Sequence, residues 1–433
     1  MDYLLISSQL PSPLAAGGTN QRTRLLLDAL IECGQTSFWF LEVHSQESRS
    51  KKDKERLVEQ LSTGLDVEEV EIFENPKPKG SYAKFEKWVR LVSLVGCGSA
   101  TNLVKVLGYR VNHAIRDQIL ERVARGDVKV IVFRYVEAAI VCGLFDGLLG
   151  KIDIVIDADD WQSEYLKTRL DRRDRNKFGI SDMAKTAYLR TRLKKMEALE
   201  EKVLAVVRTV FVASPADAGK IRQRSVTLLQ NSPTKIDATV IRPLSPSADD
   251  HLILLIVASF SYPPNLEGCQ WFLDQCWPQI LEIFPSAKLR IIGCIPSAIA
   301  SQWAQVVGTE VKGFVYDLDP HYEECTLVVA PVHWGGGTKI KVLESFAYGR
   351  CVAGTRHSIE GMAVMDPSKF GIFSNDANEL ARGCVELATN HKLRHQAEAA
   401  IREYALQNFS KQEFNRIVRK TLLADSQILT SRS

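Results

Sequence analysis

Short hydrophobic runs recur along the chain between longer stretches in which apolar residues return every three or four positions. The runs have the length and β-branched content of buried strands, whereas the periodic stretches are typical of amphipathic helices. In the first half, the predicted strands are residues 3–7, 37–43, 130–135, 152–157 and 210–214. The predicted helices of that half are residues 22–33, 45–63, 112–125 and 184–207.

The second half repeats this alternation more compactly. Its predicted strands are residues 252–259, 289–293, 311–315, 327–332, 351–354 and 371–374. Strands that alternate with helices favour parallel, doubly wound sheets. Two such sheets in series predict an α/β protein with two Rossmann-like domains.

The predicted domain boundary lies where proline and serine cluster and the hydrophobic periodicity lapses, in residues 231–250. We therefore predict an N-terminal domain at 1–232, a linker at 233–250 and a C-terminal domain at 251–400. A last segment, 401–433, follows, and residues 399–423 have a helical pattern.

Composition excludes several classes of protein. The 433 residues are 45% hydrophobic and 25% charged, as in ordinary globular proteins, and a net charge of +3 is too small to indicate nucleic-acid binding. The nine cysteines form no CxxC pair, which favours a reducing compartment. The longest apolar run, residues 252–260, is far short of the roughly 20 residues of a membrane span. With no basic leader at the N-terminus, a cytoplasmic protein is expected.

Two segments carry an excess of positive charge. One is residues 167–202, and the other is residues 84–110, where lysine and arginine alternate with tryptophan, valine and leucine. The second pattern is typical of a helix on an anionic membrane surface. It is equally typical of a helix that packs on a core and exposes a polar back. Both interpretations stay open.

A glycine triplet follows the strand at residues 327–332 and directly precedes a helical pattern. It consists of Gly335, Gly336 and Gly337, followed by Thr338 and Lys339. Glycine lets the backbone approach a ligand closely, and the free amides and dipole of a helix N-terminus favour negative charge. Lys339 adds a full positive charge, so the segment predicts a phosphate site.

The same helix also offers a sugar-binding end. Lys341 and Glu344 are three positions apart and therefore share a helix face. A carboxylate at this place can accept both hydroxyl protons of a ribose. One helix thus combines a phosphate end with a sugar end.

The string GGGTKIKVLE, residues 335–344, resembles the donor-binding signature of the retaining glycosyltransferases called glycosyl transferases group 1. The resemblance implies the GT-B architecture, in which two Rossmann-like domains face each other across a cleft. It implies that Glu344 binds the nucleotide ribose and that Lys339 and Glu344 are central to catalysis. Many members have a second glutamate eight residues earlier, where this chain has Gly336.

The resemblance adds further donor-site residues. Gly18, in a Pro/Gly loop after the first strand, is expected to contact the donor. Glu360 lies in a Glu-Gly turn, and many members of the family have a similar turn near the donor. The expected donor-binding set is Gly18, Gly335, Gly336, Gly337, Thr338, Lys339, Lys341, Glu344 and Glu360. No cofactor and no metal are expected, because Lys339 and the helix amides can neutralise a departing diphosphate.

Weaker candidates lie at the ends of other strands, where open α/β sheets place ligands. Arg134, Tyr135 and Asp159 are candidates for acceptor binding in the first domain. His333, just before the glycines, is a further candidate, although a lone histidine is more often structural. Clustered aspartates at 157–160 suit a divalent metal by composition, but the GT-B resemblance argues against that assignment.

The sequence thus predicts a retaining glycosyltransferase that uses a nucleotide-sugar donor and a glycan, lipid-linked or protein acceptor. A role in cell-surface or extracellular polysaccharide synthesis, at the inner face of a membrane, follows from the resemblance alone. The alternatives are a nucleotide-sugar epimerase of the same fold and a non-catalytic binding scaffold.

Overall fold

A computed structural model describes residues 2–11, 18–42, 50–74, 99–159, 161–173, 180–221, 225–233, 252–335, 338–362 and 366–423. The chain forms two compact units, one of Met1–Leu229 with Asn415–Ser433 and the other of Gln230–Phe414. The sequence had predicted that the first domain ends at residue 232 and that the second ends at residue 400. The predicted linker, most of the basic segment 84–110, and Gly336 and Gly337 lie outside the described residues.

The first unit is built on a seven-stranded sheet whose neighbouring strands are all parallel, in the order β3-β2-β1-β4-β5-β6-β7. The strands β1, β2 and β4 are buried along their whole length, as expected when helices cover both faces of a parallel sheet. The bounds are β1 Tyr3–Ser7, β2 Thr36–Glu42, β3 Glu69–Glu74, β4 Val130–Arg134, β5 Asp153–Ala158, β6 Thr209–Val212 and β7 Ser225–Leu228.

Helices connect these strands, and an irregular turn at Leu144–Leu148 precedes β5. The helices are α1 Gly18–Cys33, α2 Lys51–Gly64, α3 Ala100–Leu107, α4 His113–Arg125, α5 Val136–Val141, α6 Gln162–Arg173, α7 Ile180–Leu204 and α8 Pro215–Ala218. One core cluster joins leucines and isoleucines of β1, β4 and β5 to the inner faces of α3, α4 and α7.

The second unit has a six-stranded sheet, also parallel throughout, in the order β10-β9-β8-β11-β12-β13. Its strands are β8 Ile253–Val257, β9 Lys288–Ile292, β10 Thr309–Gly313, β11 Leu327–Ala330, β12 Val352–Gly354 and β13 Gly371–Phe373. Counted within the unit, this order is 3-2-1-4-5-6, the Rossmann arrangement.

The helices of the second unit cover both faces of this sheet. They are α9 Pro263–Trp271, α10 Trp277–Ile283, α11 Ser297–Trp303, α12 Asp319–Glu324, α13 Ile340–Ala347, α14 Arg356–Ile359, α15 Ala377–Thr389 and α16 His391–Phe409. A π-helical turn, Phe272–Cys276, links α9 to α10. The large core cluster includes the fully buried Trp277 and Trp303.

The predicted fold class, two doubly wound parallel sheets, is confirmed. All six strands predicted for the second half are present, but β3 and β7 of the first unit were missed. The prediction of one helical run over 399–423 was wrong in one detail. Ser410 has extended backbone and separates α16 from a last helix, α17 Lys411–Leu423.

Within the described ranges, none of the helices combines the length and the apolar character that a membrane crossing requires.

Candidate functional site

The candidate donor site lies at the switch point of the second sheet, where the connections from β8 and β11 diverge to opposite faces. These strands are neighbours, so the loops that follow them leave the same carboxyl edge side by side. Gly268 allows α9, the helix after β8, to pack closely against the loop after β11. A Cβ atom at this position would lie 2.0 Å from the Pro331 carbonyl oxygen. Ligands of open α/β sheets bind at this edge.

Gly335 fixes the conformation of the loop after β11. Its φ of +115° favours glycine, and a Cβ atom would come within 2.7 Å of the Tyr262 hydroxyl. The Gly335 carbonyl accepts hydrogen bonds from Lys339 Nζ at 3.0 Å and from His357 Nε2 at 2.9 Å. The loop is thus held from α13 on one side and from α14 on the other.

Thr338 and Lys339 connect this loop to the N-terminus of α13. Both are buried, with 9% and 8% of their surface exposed. The buried Thr338 hydroxyl has no hydrogen-bond partner within the part of the chain that the structure describes. A buried hydroxyl normally pairs, so this one is suited to a ligand.

Lys341 lies in the first turn of α13 and donates a hydrogen bond to Asn265 Oδ1. Burial and the neighbouring Lys339 lower the pKa of Lys341 to about 8. Asn265 lies in the first turn of α9, whose N-cap position is held by Tyr262. Asn265 bridges Lys341 and the carbonyl of Ser259, to which its Nδ2 donates at 2.9 Å.

Glu344 is held from behind by two stacked tyrosines. The Tyr322 hydroxyl lies 3.4 Å from Glu344 Oε2, and its ring stacks on Tyr348 with centroids 4.3 Å apart and planes 3° from parallel. Tyr348 in turn contacts Asp319 at the start of α12. This arrangement positions a partly exposed carboxylate one helical turn beyond Lys341.

Glu360 and His333 flank the glycine loop. His357 Nδ1 lies 2.6 Å from Glu360 Oε2, so His357 links this exposed carboxylate to the Gly335 carbonyl. The His333 ring packs edge-on against Trp271 at 4.4 Å. Burial at this contact and the nearby His357 lower the pKa of His333, which favours the neutral imidazole.

The first unit places Arg134, Asp159 and Gly18 at the corresponding edge of its own sheet, where α1 begins at Gly18. Arg134 is fully buried and contacts Asp157 and Asp159, the latter at 2.8 Å. Burial disfavours its charge, but Asp159 and Asp157 outweigh this and raise the pKa of Arg134. Arg22 pairs with Asp157 from the other side. Arg134 and Asp159 therefore have a structural role in this ion cluster, and acceptor contact by either stays a prediction.

Tyr135 follows Arg134 and has a φ of +74°, which is unusual for a residue with a side chain. Its ring lies over the Arg134 guanidinium at 4.6 Å, and its hydroxyl accepts a hydrogen bond from Arg134 at 3.1 Å. Such strained backbone concentrates at functional sites, which supports Tyr135 more than Arg134 as an acceptor contact.

The structure brings together the predicted residues of the second unit. Gly335, Thr338, Lys339, Lys341 and Glu344 lie along one loop and helix, with Glu360 reached through His357. Sequence reasoning missed four positioning residues, namely Tyr262, Asn265, Tyr322 and His357. Tyr262 and Asn265 carried a sequence signal, since they follow β8 closely, Tyr262 in the turn and Asn265 in the first turn of α9.

In the described part of the chain, no group of three or more histidine, cysteine or acidic residues is arranged to hold a metal ion. The expectation that the reaction needs no metal stays a prediction.

The sequence of the second unit matches a known family. Residues 251–390 match the family described as Glycosyl transferases group 1. Comparison with curated proteins finds no match.

Solved structures share the fold of the whole chain. Sucrose-phosphate synthase from Thermosynechococcus elongatus is similar over 100% of both chains, with a TM-score of 0.63 at 13% identity. A glycosyltransferase from Rickettsia africae ESF-5 is similar over 98% of this chain and 99% of its own, with a TM-score of 0.58 at 12% identity. Alr3699/HepE from Anabaena, in complex with UDP, is similar over 98% and 100%, with a TM-score of 0.57 at 15% identity.

At these identities the solved structures establish the fold, and the family match concerns the unit that carries the candidate donor site. Residues 251–390 therefore match a Glycosyl transferases group 1 domain, and the chain as a whole has the two-Rossmann fold of the GT-B glycosyltransferases.

Proposed function

We propose that this chain transfers a sugar from a nucleoside-diphosphate sugar to an acceptor hydroxyl with retention of the anomeric configuration. The observation that carries the proposal is the row of side chains at the switch point of the second sheet. A buried hydroxyl, two lysines and a carboxylate follow one another over seven residues, from Thr338 to Glu344.

The diphosphate would lie at the N-terminus of α13. Lys339 supplies positive charge there, and the free amides of the first helical turn point to the same place. The Thr338 hydroxyl would donate its hydrogen bond to a phosphate oxygen. An anion would also restore the charge of Lys341, which burial disfavours in the free protein.

The ribose would bind at Glu344. Its carboxylate can accept hydrogen bonds from both ribose hydroxyls, and the Tyr322 contact fixes its position. The solved complexes of Alr3699/HepE with UDP and with UDP-glucose concern a protein of the same fold, which supports a nucleotide donor for this chain.

Retention would follow from attack on the face that the diphosphate leaves. The bond from the anomeric carbon to the phosphate oxygen breaks as the acceptor oxygen bonds on the same side, and the acceptor proton passes to the departing oxygen. Thr338, Lys339 and the α13 amides would stabilise the charge that develops on this oxygen. The proposed reaction uses no metal.

The acceptor would be a glycan, a lipid-linked molecule or a protein, contacted by the carboxyl edge of the first sheet near Tyr135. By analogy of family, the product would enter cell-surface or extracellular polysaccharide, and the enzyme would act in the cytoplasm or at the inner face of a membrane.

Thermal unfolding with a panel of nucleoside diphosphates tests the donor site. A ligand that binds only the native state stabilises it by about 2.7 kcal/mol at a hundredfold excess over Kd. We expect one base to raise the Tm, and Glu344→Ala to abolish this rise. Glu386→Ala, an exposed glutamate of α15, is the control and should keep it.

The same experiment separates the alternatives. A Tm that no nucleotide changes would contradict the proposal and favour the scaffold. Where a nucleotide binds, the products decide between the enzymes, because an epimerase converts the sugar nucleotide without an acceptor. A transferase releases nucleoside diphosphate in proportion to the acceptor consumed.

A further inference from the structure

A groove with a volume of about 410 Å³ lies between α6 and α7 of the first unit, and its lining residues are all distinct from the donor residues. This volume is within the range of small-molecule sites. Its lining includes Tyr165, Leu166 and Arg169 of α6 and Lys185, Arg192 and Met196 of α7.

The groove begins at the carboxyl edge of the first sheet. Helix α6 starts at Gln162, four residues after β5 ends at Ala158. The backbone amide of Ser163 at the start of α6 donates to Glu200 near the end of α7, so the two helices run antiparallel. Gln162 and Met196 therefore line the end of the groove near β5, and Arg169 and Lys185 line the other. The groove therefore starts at the edge where parallel sheets place ligands.

The floor of the groove is apolar. Leu166 and Met196 are 6% and 2% exposed and belong to the core cluster of the unit. Tyr165 is 48% exposed and presents its ring to the groove beside them. A hydrocarbon chain laid along these side chains would bury apolar surface on both partners.

The rim of the groove is cationic. Arg169 lies over the Tyr165 ring at 5.7 Å, and Arg192 donates to the Tyr188 hydroxyl at 3.1 Å. Lys185 adds a third positive charge, and among the side chains that the structure describes, none that lines the groove is acidic. Glu164, the acid in the first turn of α6, pairs with Lys220 at 2.9 Å. The rim cations are thus available to an anion.

From this pairing of an apolar floor with a cationic rim, we propose that the groove binds an anionic amphiphile with a phosphate headgroup and a hydrocarbon chain. The phosphate lies between Arg169, Lys185 and Arg192, because guanidinium groups bind phosphate oxygens in a fixed fork geometry. The chain lies along Leu166 and Met196. The site is separate from the donor site and does not depend on the proposed transfer.

Dodecyl phosphate, kept below its micelle-forming concentration, is the probe, and its Kd is measured by calorimetry on the full chain. Dodecyl maltoside has the same chain without charge, and inorganic phosphate has the charge without the chain. We expect binding of dodecyl phosphate at least tenfold tighter than either. The double substitution Arg169→Gln and Arg192→Gln should weaken it at least tenfold.

Lys167→Gln is the matched control, since Lys167 is an exposed cation of α6 outside the groove. It should leave the Kd unchanged. Equal binding of dodecyl maltoside would reduce the groove to an apolar surface, and equal binding of inorganic phosphate would make it a simple anion site. If Lys167→Gln weakened the binding of dodecyl phosphate as much as the double substitution does, the attraction would be one of charge without specificity. Each of these results overturns the proposal.

The response of Tm to UDP distinguishes this inference from the proposed function and checks folding. The double variant should keep the rise in Tm with UDP and lose the binding of dodecyl phosphate. Glu344→Ala should lose the rise in Tm with UDP and keep the binding of dodecyl phosphate. If the double variant loses its cooperative unfolding, the single substitution Arg169→Lys replaces it. Lysine keeps the positive charge but lacks the forked guanidinium group, so the Kd for dodecyl phosphate should lie between those of the wild type and the double variant.

Discussion

Two lysines in the same helical turn have different tasks because their surroundings differ. Lys339 is buried and donates to the Gly335 carbonyl, so it lies on the loop that approaches the donor. Lys341 lies further along in the first turn of α13 and donates a hydrogen bond to Asn265. Sequence alone predicts two cations at a helix start, whereas their different contacts support the proposal that Lys339 is the phosphate contact and Lys341 a reserve charge.

The substitution Lys339→Met should therefore cost far more activity than Lys341→Met. Removing one preorganised contact to developing negative charge typically lowers the rate by about 10²–10³, which we expect for Lys339→Met. For Lys341→Met, we expect a loss below about tenfold. Steady-state kcat/KM with saturating acceptor measures both, and equal losses would contradict the division of roles.

Proton uptake should accompany donor binding near pH 8. Burial and Lys339 lower the pKa of Lys341 to about 8, so part of the free protein has this amine neutral at that pH. A bound diphosphate favours the charged amine and raises its pKa, so affinity falls as pH rises through about 8. Calorimetry of the binding of the nucleoside diphosphate that raises the Tm, in two buffers of different ionisation enthalpy, measures the uptake. Lys341→Met should abolish it, and buffer-independent heats in the wild type would contradict this prediction.

At the scale of the element, Glu200 shows how a buried carboxylate couples two helices. It lies on α7, is 5% exposed and accepts a hydrogen bond from the backbone amide of Ser163 at the start of α6. Burial raises the pKa of Glu200 to about 7, against the opposing hydrogen bonds from Ser163. The folded protein thus holds a proton that an exposed glutamate loses.

This arrangement predicts a stability that decreases with pH. The contribution of Glu200 to the free energy of unfolding is full below about pH 4.5, where its carboxyl is protonated in both the folded and the unfolded protein. It is lost as the pH rises to about 7. At about 1.4 kcal/mol per tenfold change in proton affinity, the loss is on the order of 3 kcal/mol. Glu200→Gln keeps the acceptor for Ser163 and should raise the Tm at pH 8 but not at pH 4.5. The control Glu201→Gln, an exposed neighbour, should change neither.

The elements that sequence reasoning missed share a physical cause. Strand β3 reads EVEIFE, and two of its glutamates contact Arg122 of α4, so its charges obscure the strand pattern. Strand β7 has only four residues. Both lie at the edges of the sheet, where strands are short and polar. Central strands are buried on both faces, and their continuous apolar runs made them predictable.

The break in the last helical run had a sequence signal that was missed. Ser410 and Glu413 form the Ser-x-x-Glu pattern of a capping box, and the Ser410 hydroxyl accepts from the Glu413 amide at 3.2 Å. In the donor site, the motif residues were predictable because they are contiguous. His357 and Tyr322 were not, because only the folded sheet brings them to Gly335 and Glu344.

At the scale of the whole molecule, the two units use one strand order for different purposes. Each has its switch point beside its first strand, between β1 and β4 or between β8 and β11. In the second unit this edge presents the Thr338 hydroxyl and Lys339. In the first unit it is closed by Asp157, which is fully buried between Arg22 and Arg134. The edge of the second unit has the charges that the proposed diphosphate site requires, whereas the cations at the edge of the first unit are paired with buried carboxylates.

This contrast predicts a local effect for Asp157→Asn. The amide keeps the size of the side chain but removes the charge that compensates two buried guanidinium groups. Breaking a buried pair in this way costs about 3–5 kcal/mol. Because each unit has its own sheet and core, amide hydrogen exchange should accelerate in β1, β4 and β5 and stay unchanged in β8–β13. The rise in Tm that the bound nucleoside diphosphate produces should persist.

Asp153→Asn is the matched control, since Asp153 lies on the same strand but pairs with Arg208 while 41% exposed. A pair so exposed contributes about 0–1 kcal/mol, and its loss should leave exchange nearly unchanged throughout. Similar acceleration in β8–β13 of Asp157→Asn would show that the two sheets unfold as one cooperative body. Acceleration confined to the first sheet would mean that the ion cluster stabilises this unit alone, while the donor edge of the second keeps its geometry without it.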